Sequence, residues 1–194
     1  MEEEFLLLKK KSFSHGEYSI SSIRMSDAES LRIWRNDQID ALRQSQYLSS
    51  AAQKKYFEKV IKVEFPKTNP SLLLVRFTLN NKFIGYGGLV HINWTDQRAE
   101  VSFLLETERS KNTSLYVSEL KIFMLLIQKL AFEHLDFNKL TTESFDHRDH
   151  HVKAIEECGF QRDGVLRQHT KVDGGWVNAI LCSRLSIEFQ EYQN

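Results

Sequence analysis

The sequence predicts a single mixed α/β domain, with a largely antiparallel central sheet flanked by helices. Three observations lead there. Strand-like runs outnumber helical ones. Two of the helices come early, before most of the strands. The block from Lys82 to Phe160 runs hairpin, long helix, strand, short helix. At 194 residues the chain is long enough for one sizeable core and short for two. With only two prolines, no internal repeat and no linker composition, residues 1–194 read as one domain whose core spans 18–185.

Each element has its own signal. Tyr18 to Arg24 alternates as a first strand. Ser26-Asp27-Ala28-Glu29 has the form of a capping box and opens a helix that carries Leu31 and Trp34 and fades near Asn36-Asp37. A second helix starts at Ser49 or Ser50, with Tyr56, Phe57, Val60 and Ile61 on its apolar side. Leu72 to Leu79 and Phe83 to Trp94 are strands joined by an Asn80-Asn81 turn. Gly85, Gly87 and Gly88 inside the second of these mark a bulge or a close backbone approach. A short polar turn at Thr95–Gln97 leads to the strand Arg98 to Glu106. Then come a long apolar helix from Ser114 to His134, a strand from Lys139 to Ser144 and a short helix ending at Cys158-Gly159-Phe160. Phe160 to Thr170 and Trp176 to Leu185 form a last hairpin around Asp173-Gly174-Gly175. The polar tail from Ile187 is expected to fray.

Composition narrows the partners. Twenty-six basic and 26 acidic residues give no net charge, which argues against a nucleic-acid partner. No apolar run is long enough to span a bilayer, so no membrane partner is expected. The start, MEEEFLLLKKK, has its acids before its bases and too short an apolar run for a signal peptide. The two cysteines, Cys158 and Cys182, sit in apolar stretches and suggest neither a disulfide framework nor a metal knuckle. A reducing, cytoplasmic setting is the expectation. His147, His150 and His151 lie close together, but no second cluster of ligands stands at metal-binding spacing, so no metal is expected.

The central hairpin places polar residues where burial would favour apolar ones. A turn centred between Asp96 and Gln97 pairs Asn93 with Glu100 and His91 with Ser102. All four then share one face, with Val90, Ile92, Val101 and Phe103 on the other. The pieces WRN at Trp34–Asn36, IGYGGLVHINW at Ile84–Trp94, RAEVSFLL at Arg98–Leu105, AFEHLDFNKL at Ala131–Leu140 and ECGF at Glu157–Phe160 complete a pattern. From Tyr18 to Leu185 the chain resembles the GNAT (Gcn5-related) N-acetyltransferase superfamily, in its RimJ/RimL-like branch. The WRN opening and the GYGGLVHINW strand also look like GNAT proteins of bacterial surface-polysaccharide pathways.

The resemblance implies acetyl-CoA as co-substrate, direct transfer without a covalent enzyme intermediate, and pantetheine pairing with the backbone of Phe103, Leu104 and Leu105. A protonated amine must lose a proton before it attacks a thioester, and Glu100 is the base of choice, with His91 second. The competing reading makes Glu100 a salt-bridged residue beside the turn, with Arg98 as partner. The loop Glu106–Ser114 corresponds to the family's pyrophosphate loop. Arg109 and Lys111 supply charge there, and Asn112, Thr113 and Ser114 can cap the helix. It contains no glycine, unlike the family pattern. The position of the family's Asn holds Arg148, and that of its usual tyrosine general acid falls near Ile155. Trp34, Arg35, Asn36, Arg43 and Asn93 are the expected acceptor-site residues, the arginines being suited to phosphate. Three functions follow: an N-acetyltransferase for a small-molecule amine such as a nucleotide-linked amino sugar, a RimJ/RimL-type protein acetyltransferase, or an acyl-CoA-binding module without transfer. A homodimer is left open.

Overall fold

The computed structural model describes residues 4–9, 11–42, 44, 46–172 and 174–193. Its strands and helices, in chain order, are β1 (Phe13–His15), β2 (Tyr18–Ser22), α1 (Ala28–Asp37), α2 (Ser50–Tyr56), α3 (Lys62–Glu64), β3 (Leu73–Leu79) and β4 (Lys82–Asn93). They continue with β5 (Arg98–Leu105), α4 (Thr107–Ser110), α5 (Thr113–Gln128), β6 (Lys139–Phe145), α6 (Asp149–Glu157), β7 (Gln161–Val172), β8 (Gly175–Leu185) and α7 (Ser186–Gln193). A π-helical turn, Phe57–Ile61, joins α2 to α3, and another, Lys129–His134, prolongs α5. The eight strands form one sheet in the order β1-β2-β3-β4-β5-β6-β8-β7. Among the described strands every pairing is antiparallel except β5 with β6. The expected α/β class, with a largely antiparallel sheet flanked by helices, is what forms.

Local chemistry explains the boundaries. Ser49 Oγ accepts the Ala52 amide at 3.1 Å and starts α2. Asn80 and Asn81 both have positive φ, 48° and 65°, the pair a tight β3–β4 turn requires. The glycines in β4 serve close approach. A Cβ on Gly87 would stand 2.1 Å from the Ser102 carbonyl oxygen and 2.7 Å from the Phe123 ring. Gly88 has φ +139° and backs onto the Leu73 carbonyl. The core runs through α5 and the sheet, where the rings of Phe77, Phe103 and Phe123 meet edge-on or tilted. No described helix is long and apolar enough to cross a membrane.

Four expectations need correcting. The first helix is preceded by a 3₁₀ turn, so the cap falls earlier than Ser26. The Arg24 amide donates to Asp27 Oδ2 at 3.0 Å. The β4–β5 register is not the one a simple turn gives. Asn93 pairs with Arg98, Val90 with Glu100, and Gly88 with Ser102. A bulge between Val90 and Asn93, with His91 at φ +50°, absorbs the difference. The chain beyond Ile187 does not fray at once. It forms α7, whose Phe189 is 3% exposed and packs on Phe132 and under the Arg184 guanidinium. Finally, Phe5 and Leu8 also join the core, ahead of the expected boundary at 18.

Candidate active site

The single parallel pairing shapes the site. β5 and β6 are joined only from Arg98↔Lys139 to Glu100↔Thr141, and beyond that they diverge. β4 occupies one edge of β5. On the other edge, Thr141 Oγ1 reaches the Ala99 carbonyl at 3.3 Å, and Gln38 Nε2 donates to the Leu105 carbonyl at 2.9 Å. Backbone groups of alternate residues point the same way, so the Val101 carbonyl and the Phe103 N–H and C=O face that edge beyond the last paired rung, Glu100↔Thr141, which takes up the Val101 N–H. The resulting cleft holds about 120 Å³ and is lined by Glu100–Leu104 on one wall and Thr142–Phe145 on the other. Tyr116, Arg148, His151 and Ile155 also line it.

Tyr116 anchors a buried polar cluster in this cleft. Its oxygen lies 2.7 Å from His151 Nδ1 and accepts from Arg148 Nη2 at 2.9 Å. Burial raises the Tyr116 hydroxyl above its ordinary pKa, against the Arg148 charge. Burial, and then that same charge, hold His151 well below 6.5, so its ring is neutral.

A second cleft of about 730 Å³ opens between the sheet and the α1–α2 layer. Leu31, Leu42, Leu48, Phe57, Leu72, Leu74, Val90 and Ile92 make it largely apolar, and Arg35, Gln53, Tyr56, Tyr86, His91 and Ser102 add polar groups. Among the described residues none of its lining side chains is a carboxylate. Arg35 donates to the Tyr86 hydroxyl at 2.7 Å and to Gln44 Oε1 at 2.9 Å, so its positive charge rests on neutral partners. Leu42 and Ser102 line both clefts. The Ser102 Oγ at this junction is buried and has no hydrogen-bond partner among the described residues.

The residues expected from the sequence divide. Glu100 lines the smaller cleft and His91 the larger, and their Oε2 and Nε2 atoms are 3.9 Å apart despite the altered register. The bulge turns His91 toward solvent, where its side chain is 73% exposed, against 15% for Glu100. Phe103 and Leu104 line the smaller cleft, and Leu105 is fully buried beside it. Asn112 caps α5 by accepting the Leu115 amide at 3.0 Å, and the Thr113 and Ser114 amides lie in that helix's first turn. Arg109 and Lys111 are engaged elsewhere. Arg109 forms a two-bond pair with the fully buried Glu119, which also accepts from Tyr18, and Lys111 donates to Glu108 at 2.6 Å.

On the acceptor side only Arg35 of the expected and described group lines the cleft. Trp34 is core, stacked on Phe83 with 4.9 Å between ring centres. Asn36 locks the chain at Leu48 through both its backbone groups. Asn93 caps the β4–β5 turn by accepting the Asp96 amide. Arg43 lies outside the described residues. Sequence reading missed Tyr86, Tyr116 and Ser102 as site residues. Tyr86 was findable, since it stands opposite Leu104 on the face of β4 that Val90 shares. Tyr116 and Ser102 become visible only once β5 and β6 part. His147, His150 and His151 do not converge. One stacks on Phe145, one meets the Tyr116 ring edge-on, and one bonds the Tyr116 oxygen.

The sheet splits between two parallel neighbours, and a long helix starts at the open end. The profile of the acetyltransferase (GNAT) domain matches residues 20–181. No curated protein matches the chain. Among solved structures, mutant forms of the spermidine/spermine N-acetyltransferase SpeG from Vibrio cholerae superpose with a TM-score of 0.78 at 15% identity, covering 93% of this chain and 100% of that one. The Vibrio cholerae spermidine N-acetyltransferase in complex with CoA and spermine gives 0.77 at 15% identity, over 91% and 99%. The chain belongs to the GNAT acetyltransferase family. It is an enzyme, an acetyltransferase that uses acetyl-CoA.

Proposed function

We propose that the chain acetylates the amine of a small acceptor that also carries an anionic group, a nucleotide-linked amino sugar being the class that fits best. The carrying observation is the charge of the larger cleft: Arg35 on neutral partners, and no carboxylate among its described lining residues. A polyamine bound there would bury positive charge beside a guanidinium with nothing opposite to balance it. A phosphate would instead meet a charge-assisted donor. The volume, about 730 Å³, is in the ordinary range for a ligand of that size.

Acetyl-CoA supplies the activated acyl group. The residues present fit it: the edge from the Val101 carbonyl through Phe103 offers pantetheine a strand-like partner, and the smaller cleft leads from Glu100 to Tyr116 in the first turn of α5. In this reading the acceptor amine enters from the larger cleft and reaches the thioester at Ser102, where the two clefts meet. Glu100 removes the ammonium proton, with His91 at 3.9 Å as the path toward solvent. Ile155, buried at the family's tyrosine position, cannot donate to the departing thiolate. A thiolate leaves without such help more readily than an alkoxide does.

The test is an acetylation assay with acetyl-CoA and three acceptor sets: nucleotide-linked amino sugars, spermidine, and peptides beginning with Ser or Ala. Preferential turnover of the first set supports the reading. Preferential turnover of spermidine would overturn the anionic-acceptor reading. Preferential turnover of peptides would replace it with a RimJ/RimL-type protein acetyltransferase. CoA binding without turnover of any set would place the acceptor outside all three classes and overturn the anionic-acceptor reading.

A further inference from the structure

We infer that Arg148, at the start of α6, is the cation that receives the pyrophosphate of CoA in this chain, in place of the basic residues of the glycine-free loop. The inference rests on the acetyl-CoA reading and adds to it a residue whose charge the loop cannot supply.

The part-buried charge of the loop, Arg109, is already spent, and Lys111 sits on the surface away from the cleft. Arg109 is paired with Glu119, a carboxylate with no exposure, and turning it outward would strand that carboxylate in the core. Lys111 is held by Glu108. Neither residue lines the smaller cleft. Arg148 differs on each count. It lines the cleft and is the single Arg or Lys to do so among the described residues. Its contacts are neutral: the Tyr116 oxygen at 2.9 Å, the Ala41 carbonyl at 3.4 Å and the face of the Tyr116 ring at 5.8 Å. Among the described residues no carboxylate pairs with it. Its field is felt by its neighbours, since both His150 and His151 are pushed toward the neutral form by burial first and by Arg148 next.

The order of charges along the cleft says where an anion belongs. Glu100 stands at the closed end, on the last paired rung, and Glu143 lies two residues beyond Thr141. Arg148 lies past Phe145, at the open end, and reaches Tyr116 in the first turn of α5. Four residue steps of strand run from Thr141 to Phe145, roughly 13 Å at strand rise. The acidic end thus suits the thioester and the amine, and the basic end suits the phosphates. Arg148 reaches α5 through the Tyr116 side chain, and the first turn of that helix adds its dipole at the same end of the sheet.

Calorimetric titration of CoA into the wild type, Arg148→Gln and Arg148→Lys decides it, with thermal unfolding of each free protein as a check on folding. The expected result is a loss of about tenfold or more in CoA affinity for Arg148→Gln, the scale of a charge-assisted contact. Arg148→Lys keeps the charge and loses less. The gap between wild type and Arg148→Gln narrows at ~1 M salt, where the screening length is about 3 Å. Wild-type affinity in Arg148→Gln, or a loss that salt leaves unchanged, would overturn the assignment and leave Arg148 as a brace for Tyr116. No CoA binding by the wild type would overturn the acetyl-CoA reading along with it.

Discussion

The two clefts that meet at Ser102 are made of different material. The smaller is built from backbone: two parallel strands part, and one edge of β5 is left facing a gap. The larger is built from side chains that α1, α2 and the β4 surface happen to present. A backbone gap is insensitive to residue identity and can serve one invariant ligand. A side-chain cleft changes character with a single substitution, which is what the proposed acceptor site would need. The same division separates the two nearby arginines of the donor side, one bound to a buried carboxylate and one to neutral groups.

That contrast can be broken experimentally. The largest effect is expected from Arg109→Met. It leaves Glu119 buried and unpaired and costs about 3 kcal/mol of folding stability, read as a lower denaturant midpoint. If its main effect were instead on CoA affinity with stability unchanged, Arg109 would be a ligand and the division of labour would fail. Glu100→Gln comes next. Turnover is expected to fall about a hundredfold while the Michaelis constant for acetyl-CoA stays within about twofold. An unchanged rate across pH would remove Glu100 as base and leave His91 or bulk water.

Arg35→Gln probes the side-chain cleft. The Michaelis constant for an anionic acceptor should rise about tenfold and that for acetyl-CoA should not move. A rise for both would show that the two clefts are not independent. The smallest effect is a pH dependence on the donor side. His151 is neutral when folded and has its pKa held below 6.5, so the unfolded chain binds the proton more readily. Stability should therefore fall as pH drops below about 6.5, with a slope of at most about 1.4 kcal/mol per pH unit, and flatten below the folded pKa. His151→Asn, which still offers Tyr116 a polar partner, should lose that slope.

Much of the scaffold was legible because it follows from local pattern. The Asn80-Asn81 turn, the Ser49 cap, the glycines of β4 and the long helix after β5 each have a short-range cause, and each appeared where expected. The site was legible less evenly. Glu100, His91 and Arg35 line the clefts, and polar groups on a strand face or beside a Trp stand out in a sequence. Asn36 and Asn93 stand out equally, yet both are consumed by backbone hydrogen bonds, which composition does not reveal. The register failed at His91, since a non-glycine residue with positive φ gives no local warning of a bulge. Arg109 was misleading for a long-range reason: its partner, Glu119, lies ten residues on, inside the apolar face of α5.

The open edge of β5 also bears on how the protein behaves among its neighbours. Unpaired strand edges recruit other chains, and sheets are ordinarily guarded at their rims. Here the unpaired stretch, from the Val101 carbonyl through Phe103, lies in the middle of the sheet, recessed between β4 and β6, in a space of about 120 Å³. A polypeptide strand needs nearly 5 Å of clear width on a path several residues long and cannot thread that wedge without prying the sheet apart. A slender, unbranched arm can. The fold thus keeps a reactive backbone edge available to a small molecule while denying it to aggregation, with no charge or proline among the residues Val101–Leu105 that border the gap.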